Sequence, residues 1–147
     1  MKKILHIAVM LIGMSATAAT PPEISQKVLK AFKETFFNAE NVTWKEMDNS
    51  CQANFNLSEI QVRAVYDNDG TLLETVRYYG EKNLPPNVLS RLKKKYAGKE
   101  IFGVTEISSD TEVAYHVTLK DDKNWYTVKA DPYGNLQQTD KFKRADE

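Results

Sequence analysis

Apolar residues recur at every fourth position in two stretches of the chain, and this spacing predicts two amphipathic helices. The first stripe consists of Ile24, Val28, Phe32 and Phe36, and the second of Val88, Leu92 and Tyr96. Ahead of the first stripe, Thr20-Pro21-Pro22-Glu23 has the order of a capping box, in which Thr20 is the N-cap. Asn38 and Gly98 are the predicted helix ends.

Each helix is followed by four segments that have the character of β-strands. The first set covers residues 41–47, 51–57, 60–66 and 71–79, and the second covers 101–108, 112–120, 124–130 and 135–142. In the segment 51–57, Cys51, Ala53 and Phe55 alternate with polar residues, so their side chains share one face. Such alternation is typical of antiparallel strands with one face packed and the other in water.

The two halves of the chain match each other when one is shifted by 64 residues. Pro21-Pro22 then corresponds to Pro85-Pro86, and Asp67-Asn68-Asp69-Gly70 to Asp131-Pro132-Tyr133-Gly134. We therefore predict an α+β fold of two tandem α-β-β-β-β units, whose antiparallel sheet has both helices packed on one face. The units are expected to cover residues 19–82 and 83–147 and to share one compact domain.

The first 18 residues have the composition of a secretory signal peptide. Lys2 and Lys3 form a basic start, residues 4–14 are nearly all apolar, and Ala16-Thr17-Ala18 supplies the small residues of a cleavage site. The apolar run is shorter than the ~20 residues that a spanning helix needs, which disfavours the alternative of an uncleaved anchor. We expect removal of residues 1–18, a periplasmic or secreted location, and no membrane span.

The composition of the chain excludes some functional classes but does not identify one. The 147 residues include 20 Lys or Arg and 20 Asp or Glu, so the chain lacks the basic excess of a nucleic-acid-binding protein. Removal of residues 1–18 takes Lys2 and Lys3 with it, which makes the remaining chain slightly acidic. Cys51 is the only cysteine, so no internal disulfide stabilises the fold and an ordinary packed core has to.

Cys51 and His116 are the first candidates for a nucleophilic pair, because no other thiol or imidazole follows the predicted leader. The repeat matches Cys51 with Tyr115, which predicts an inward Cys51 and an outward His116 on opposite faces of the sheet. The chain also has no His-Glu-x-x-His, Gly-x-Ser-x-Gly, Walker, Gly-x-Gly-x-x-Gly or Cys-x-x-Cys motif. We therefore expect a protein that is not an enzyme and that carries no cofactor.

The whole pattern after the leader resembles a known family. The stretch from Phe36 to Trp44 reads Phe-x-x-Ala-x-x-Val-x-Trp, and it occurs here together with Asp-x-x-Gly hairpins and two α-β-β-β-β units. In this the chain resembles the PepSY-like secreted proteins, which have a β-lactamase-inhibitor-like fold and are common in Bacteroides-type bacteria. The resemblance implies a periplasmic or secreted module whose sheet binds a protein partner, and it implies no catalytic residue.

Two charged segments suggest ligands. Asp67 and Asp69 stand in a turn that looks like part of a calcium loop, but Val65 and Val76 occupy the places of its outer ligands, so a hairpin turn is the favoured interpretation. The second helix is strongly basic, with Arg91, Lys93, Lys94, Lys95 and Lys99. A solvated polar face is the favoured explanation, and an anionic partner is the alternative.

The outward face of the sheet is the candidate binding surface. The partner-binding residues predicted on it are Arg63, Arg77, Tyr79, His116, Trp125 and Thr127. A tryptophan beside arginine, histidine and tyrosine has the composition of a binding hot spot. The alternative for Trp125 is packing beneath a loop, and Trp44 is expected either on this face or in the core.

Two functional hypotheses remain from these observations. The first is an exported, non-enzymatic binding module for a protein or peptide partner, in the form of an inhibitor of a protein or peptidase, that uses the open face of the sheet. The second is a small envelope sensor that binds a cation such as calcium, through Asp67 and Asp69, or an anionic envelope component, through the basic helix.

Overall fold

A computed structural model describes residues 23–145, so the predicted signal peptide lies outside the described part. It contains two helices, a short 3-10 turn at Glu81–Asn83, and eight strands. The helices are α1 (Gln26–Thr35) and α2 (Pro86–Lys95), and the strands are β1 (Glu40–Met47), β2 (Ser50–Leu57), β3 (Ile60–Asp67), β4 (Leu72–Tyr79), β5 (Glu100–Ser109), β6 (Val113–Lys120), β7 (Asn124–Ala130) and β8 (Leu136–Lys143). The eight strands form one antiparallel sheet in the order of the chain, which confirms the α+β class.

The predicted capping box is wrong, because α1 begins later than the proline pair. Ser25 is the N-cap of α1, and its Oγ accepts a hydrogen bond from the Val28 N–H at 3.3 Å. The same hydroxyl donates to the Asn68 carbonyl oxygen at 3.1 Å, which links the helix start to the turn between β3 and β4. Ser is a preferred N-cap residue, so Ser25 was readable as a cap from its neighbours, whereas its bond to Asn68 was not.

Two clusters of apolar side chains form the core. Val28 and Phe32 of α1 pack with inward residues of β2 and β3, and Val88 and Leu92 of α2 pack with inward residues of β4 to β7. Ile60 contacts both clusters. The strand register places the inward residues of both clusters on one side of the sheet, which we call the covered face. The opposite side is the open face.

Aromatic rings dominate the first cluster. The ring of Phe32 lies 5.0 Å from that of Phe55 and 5.1 Å from that of Trp44, and both pairs meet edge to face. Trp44 therefore belongs to the core and not to the open face, which settles the choice left by its sequence. Edge-to-face pairs of this kind stabilise a core beyond the area that they bury.

A β-bulge at Leu73 corrects the prediction for β4. Val65 pairs with Glu74 and Tyr66 pairs with Leu72, so one residue of β4 has no partner on β3. Because side chains alternate along a strand, one extra residue moves every later side chain to the other face. Arg77 and Tyr79 consequently lie on the covered face, and Val76 and Tyr78 lie on the open face.

Among residues 23–145, neither helix has both the length and the apolar character that crossing a membrane requires.

The core position of Phe32 is testable against an exposed phenylalanine nearby. Phe32 is 6% exposed and Phe37 is 80% exposed. We expect Phe32→Ala to lower the free energy of unfolding by about 3–5 kcal/mol, because it removes a large buried ring and leaves a cavity. Phe37→Ala should change it by less than about 0.5 kcal/mol. Urea unfolding followed by circular dichroism measures both; equal losses would contradict the described core.

Candidate functional site

The open face carries four of the six residues that the sequence analysis predicted for it. His116 stands between Thr105 and Lys129, and Thr127 stands opposite Thr118. Trp125 pairs with Lys120 on one side and with Phe142 on the other. Arg63 lies on β3, four strands away from β7, which corresponds to ~19 Å at the usual strand spacing. The predicted residues therefore occupy two separate regions of one face.

Trp125 is the centre of an aromatic cluster. The cluster consists of Phe102, Trp125 and Phe142, together with Lys120 and Arg144. The rings of Phe102 and Trp125 meet edge to face at 4.9 Å, with an angle of 86° between their planes. Lys120 Nζ lies 5.0 Å from the centre of the Phe102 ring, and the Arg144 guanidinium carbon lies 5.8 Å from that of Trp125. Both cations are within the range of a cation–π contact.

Two rings of the aromatic cluster are open to solvent. Phe102 is 59% exposed and Phe142 is 58% exposed, whereas Trp125 is half-buried between them. Neither phenylalanine is among the partner-binding residues predicted from the sequence. Alternation along β5 held a signal for Phe102, because Phe102 follows the inward Ile101. Burial does not alternate along β8, so the place of Phe142 follows only from its pairing with Trp125. Only the strand order shows that Phe102 meets Trp125 and that Phe142 pairs with Trp125 on the next strand.

The turn between β6 and β7 is held by one carboxylate beside the aromatic cluster. Asp121 Oδ2 accepts hydrogen bonds from Lys99 Nζ and from the Tyr126 hydroxyl, both at 2.7 Å. Its Oδ1 accepts from the backbone N–H groups of Lys123 and Asn124, at 3.0 and 2.8 Å. These contacts, that of Lys99 first, hold the pKa of the Asp121 carboxyl well below its usual range. Asp121 thereby fixes the start of the strand that carries Trp125.

A polar cleft occupies the other end of the open face. It has a volume of about 300 Å³, and its lining includes Thr43, Gln52, Asn54, Gln61, Arg63 and Tyr78. One guanidinium nitrogen of Arg63 lies 3.6 Å from Glu74, and its buried Nε has no hydrogen-bond partner among the described residues. An unpaired buried donor is costly and marks a place where a bound acceptor would be favourable.

Arg77 and Tyr79 lie on the covered face, where Tyr79 belongs to the second core cluster and the guanidinium carbon of Arg77 stands 5.5 Å from the centre of its ring. Arg77 Nη1 lies 3.2 Å from Glu106 Oε1, and the Tyr79 hydroxyl donates to Glu106 Oε2 at 2.5 Å. Burial, followed by the Glu106 carboxylate, raises the pKa of Tyr79 well above its usual range. The sequence analysis assigned these two residues to the binding surface; the structure places them in a polar contact that joins β4 to β5.

The predicted separation of Cys51 and His116 is confirmed. Cys51 lies on the covered face and is buried in the first cluster, where burial raises the pKa of its thiol. His116 lies on the open face. A sheet therefore stands between the sulfur and the imidazole, and they cannot act as a nucleophile and its base.

The carboxylates of the turn between β3 and β4 already have partners within the protein. Asp67 Oδ1 accepts from the backbone N–H groups of Asp69 and Thr71, and Asp69 Oδ1 pairs with Lys27 Nζ at 2.7 Å. These backbone contacts, that of Thr71 first, lower the pKa of Asp67. Within residues 23–145, no three His, Cys, Asp or Glu side chains gather closely enough to hold a metal ion.

The chain has the fold of several solved Bacteroides proteins. A BLIP-like protein from Bacteroides fragilis is 20% identical, with a TM-score of 0.65 over 89% of this chain and 93% of its own length. A DUF2874 family protein from Bacteroides ovatus is 20% identical, with a TM-score of 0.61 over 82% of this chain and 89% of its own. A protein from Bacteroides eggerthii, described provisionally as periplasmic, is 14% identical, with a TM-score of 0.61 over 80% and 90%.

No protein-family model matches the chain, and no curated protein matches it either. The structural neighbours therefore establish the fold, which is BLIP-like, and bring no activity with them. This supports the fold that the sequence resemblance implied.

Asp121 gives the fold a specific pH dependence. Its folded-state pKa lies below the unfolded value of about 3.9, so its stabilising effect is complete above that value and is lost as the pH falls below it. We expect Asp121→Asn to lower the melting temperature at pH 7 and to differ less from the wild type at pH 3. Melting followed by circular dichroism measures this. Asp122→Asn is the matched control, and an equal effect from both variants would contradict the assigned role.

Proposed function

We propose that this chain is an exported, non-enzymatic binding module that captures a protein or peptide partner through the open face of its sheet. The signal-like residues 1–18 support export, and so does the neighbour described provisionally as periplasmic. The BLIP-like neighbour supports a binding role. We place the protein in the periplasm or outside the cell on these grounds.

The observation that carries the proposal is the aromatic cluster at Trp125. Binding hot spots are enriched in tryptophan, tyrosine and arginine, and they are placed so that a partner excludes water from them. Here a tryptophan is held by an edge-to-face contact with Phe102, and two cations, Lys120 and Arg144, stand over the rings. These contacts already hold the Trp125 side chain, so covering it with a partner costs little of its conformational entropy.

Rigid support makes the open face suited to recognition by shape. The cluster draws residues from β5, β6, β7 and β8, all paired in one sheet, and Asp121 fixes the turn at its edge. A site on paired strands keeps its geometry better than a site on a loop. The polar cleft at Arg63 would serve as a second contact region for a partner that spans the face.

An inhibitor of a protein or a peptidase is the finer form of this proposal. The description of one neighbour as BLIP-like supports it, and the Phe36 to Trp44 stretch supports membership of the PepSY-like secreted proteins. The two α-β-β-β-β halves are proposed to be tandem copies with both helices on one face of a single domain. In support of this, Gly70 lies against α1 at Lys27, and Gly134 lies against α2 at Arg91, 64 residues further along.

A calcium sensor is the less favoured alternative. Asp67 and Asp69 already accept hydrogen bonds from the backbone and from Lys27, so a calcium ion would have to displace these contacts to bind. The sensor alternative also includes an anionic envelope component bound by the basic helix α2. That site is separate from the acidic turn.

The proposed binding surface is tested by alanine variants in an affinity capture. Biotinylated wild-type protein, lacking residues 1–18, is incubated with an envelope extract of the source organism, and retained proteins are quantified by mass spectrometry. We expect one retained partner to be lost with Trp125→Ala and with Phe102→Ala. Measured with the purified partner, each variant should bind at least tenfold more weakly, because each truncates a ring of the hot spot.

Phe37→Ala is the matched control, because Phe37 is also an exposed phenylalanine but follows α1 and lies outside the sheet. It should retain the partner with unchanged affinity. Identical capture by the wild type, Trp125→Ala and Phe102→Ala would discard the open face as the binding surface.

A further inference from the structure

The basic residues of α2 and the segment after it differ in whether an acidic group neutralises them. Lys93 Nζ lies 3.3 Å from Glu81, and Lys99 Nζ lies 2.7 Å from Asp121. Arg91 and Lys94 form no ion pair with any residue between 23 and 145. They are three positions apart on the helix, and therefore point to the same side.

The first half of the chain neutralises the corresponding residues. The offset of 64 matches Arg91 with Lys27 and Lys94 with Lys30. Lys27 Nζ lies 2.7 Å from Asp69, and Lys30 Nζ lies 3.9 Å from Glu34. At the same offset, Asp69 corresponds to Tyr133 and Glu34 corresponds to Gly98. The second half therefore has a cation at both positions but no acid at either position that would pair with it.

The unneutralised cations line an open surface groove of about 710 Å³ between α2 and the turn that precedes β8. Arg91, Lys94 and Lys95 line it together with Gly134, Asn135 and Leu136, and we call this site the basic corner. The only carboxylate of that turn, Asp131, does not neutralise it. Its Oδ1 accepts from the Asn135 backbone N–H at 2.9 Å, and its Oδ2 accepts from the Asn135 side chain at 2.6 Å.

Two cations of the basic corner are held in place by the turn. A Cβ at position 134 would lie 2.6 Å from Arg91 Cδ, so the aliphatic part of Arg91 lies directly on Gly134. Gly134 also has a φ of +83°, a conformation that favours glycine. Lys95 Nζ donates to the Leu136 carbonyl oxygen at 3.1 Å. The site is therefore partly organised before a ligand arrives.

The positive charge of the basic corner indicates that its ligand is an anion. Three cations within one helical turn repel one another, and an anion between them relieves that repulsion. A single carboxylate carries one negative charge, whereas a phosphate monoester or a pyrophosphate can offer two or more. The planar guanidinium of Arg91 also matches phosphate oxygens in a bidentate arrangement. We propose that the basic corner binds a phosphate group of a ligand, independently of the open face.

Calorimetric titration at low ionic strength tests the proposal with inorganic pyrophosphate as the probe. A second arm measures sedimentation of the protein with vesicles of phosphatidic acid, a phosphate monoester, and phosphatidylcholine. We expect binding in at least one arm, and we expect Arg91→Gln/Lys94→Gln to weaken it at least tenfold. Raising the salt concentration from 50 to 200 mM should also weaken it, because the contacts are ionic.

Lys27→Gln/Lys30→Gln is the matched control, because it removes the same two charges from the corresponding positions of α1. We expect it to bind within about twofold of the wild type, since those cations are already paired with acids. Tyr133→Asp is a second test that leaves the cations in place. It supplies the acid that the second half lacks, on a residue that is 80% exposed, and should weaken binding about tenfold. Circular dichroism verifies the fold of each variant.

The two arms distinguish the sources of the phosphate. Binding of pyrophosphate that is lost in Arg91→Gln/Lys94→Gln indicates a soluble phosphorylated ligand. Binding to the vesicles alone, lost in the same variant, indicates a phospholipid headgroup. Absence of binding in both arms overturns the proposal. An equal loss in the Lys27→Gln/Lys30→Gln control overturns it as well, because the attraction would then be a property of net charge and not of this site.

Discussion

An eight-stranded antiparallel sheet has two faces, and the strand residues of both core clusters lie on only one of them. This constraint shapes the rest of the described structure. The strand residues of these clusters must be apolar, because side chains of α1 and α2 share the clusters with them and no disulfide supplements this packing. Side chains on the open face do not have to be apolar for the helices to pack. The open face is therefore the surface on which side chains such as Trp125 and Arg63 can serve recognition instead of stability.

The two halves of the chain share the way in which a turn lies against a helix, and they differ in surface charge. In both, a turn closed by an Asp and a Gly folds back against the helix of its own half, and Gly70 and Gly134 allow the close approach. Turn chemistry that both halves share in this way belongs to the fold. The charges around it are not needed for the fold, and so Asp69 in the first half is matched by Tyr133 in the second. A surface that packing does not constrain is free to acquire a ligand.

Much of the architecture could be predicted from alternation along the chain. Cys51, Ala53 and Phe55 were expected inward, and His116 outward, and the structure places them so. Predictions failed where one residue breaks the local period. Leu73 is such a residue, and the bulge there moves Arg77 and Tyr79 to the covered face. A bulge depends on the pairing of two strands, so its position is absent from the pattern of either strand alone.

The sequence by itself determined the number and kind of elements, the apolar stripe of each helix and the turns at Gly70 and Gly134, because these depend on residues close together in the chain. Tertiary structure alone decided that the strands join in one sheet, that Phe102 meets Trp125 with Phe142 paired beside it, and that Arg91 and Lys94 have no acidic partner among the described residues. Those features depend on register between distant strands and on what lies beside a side chain in space. Local periodicity carries no information about either.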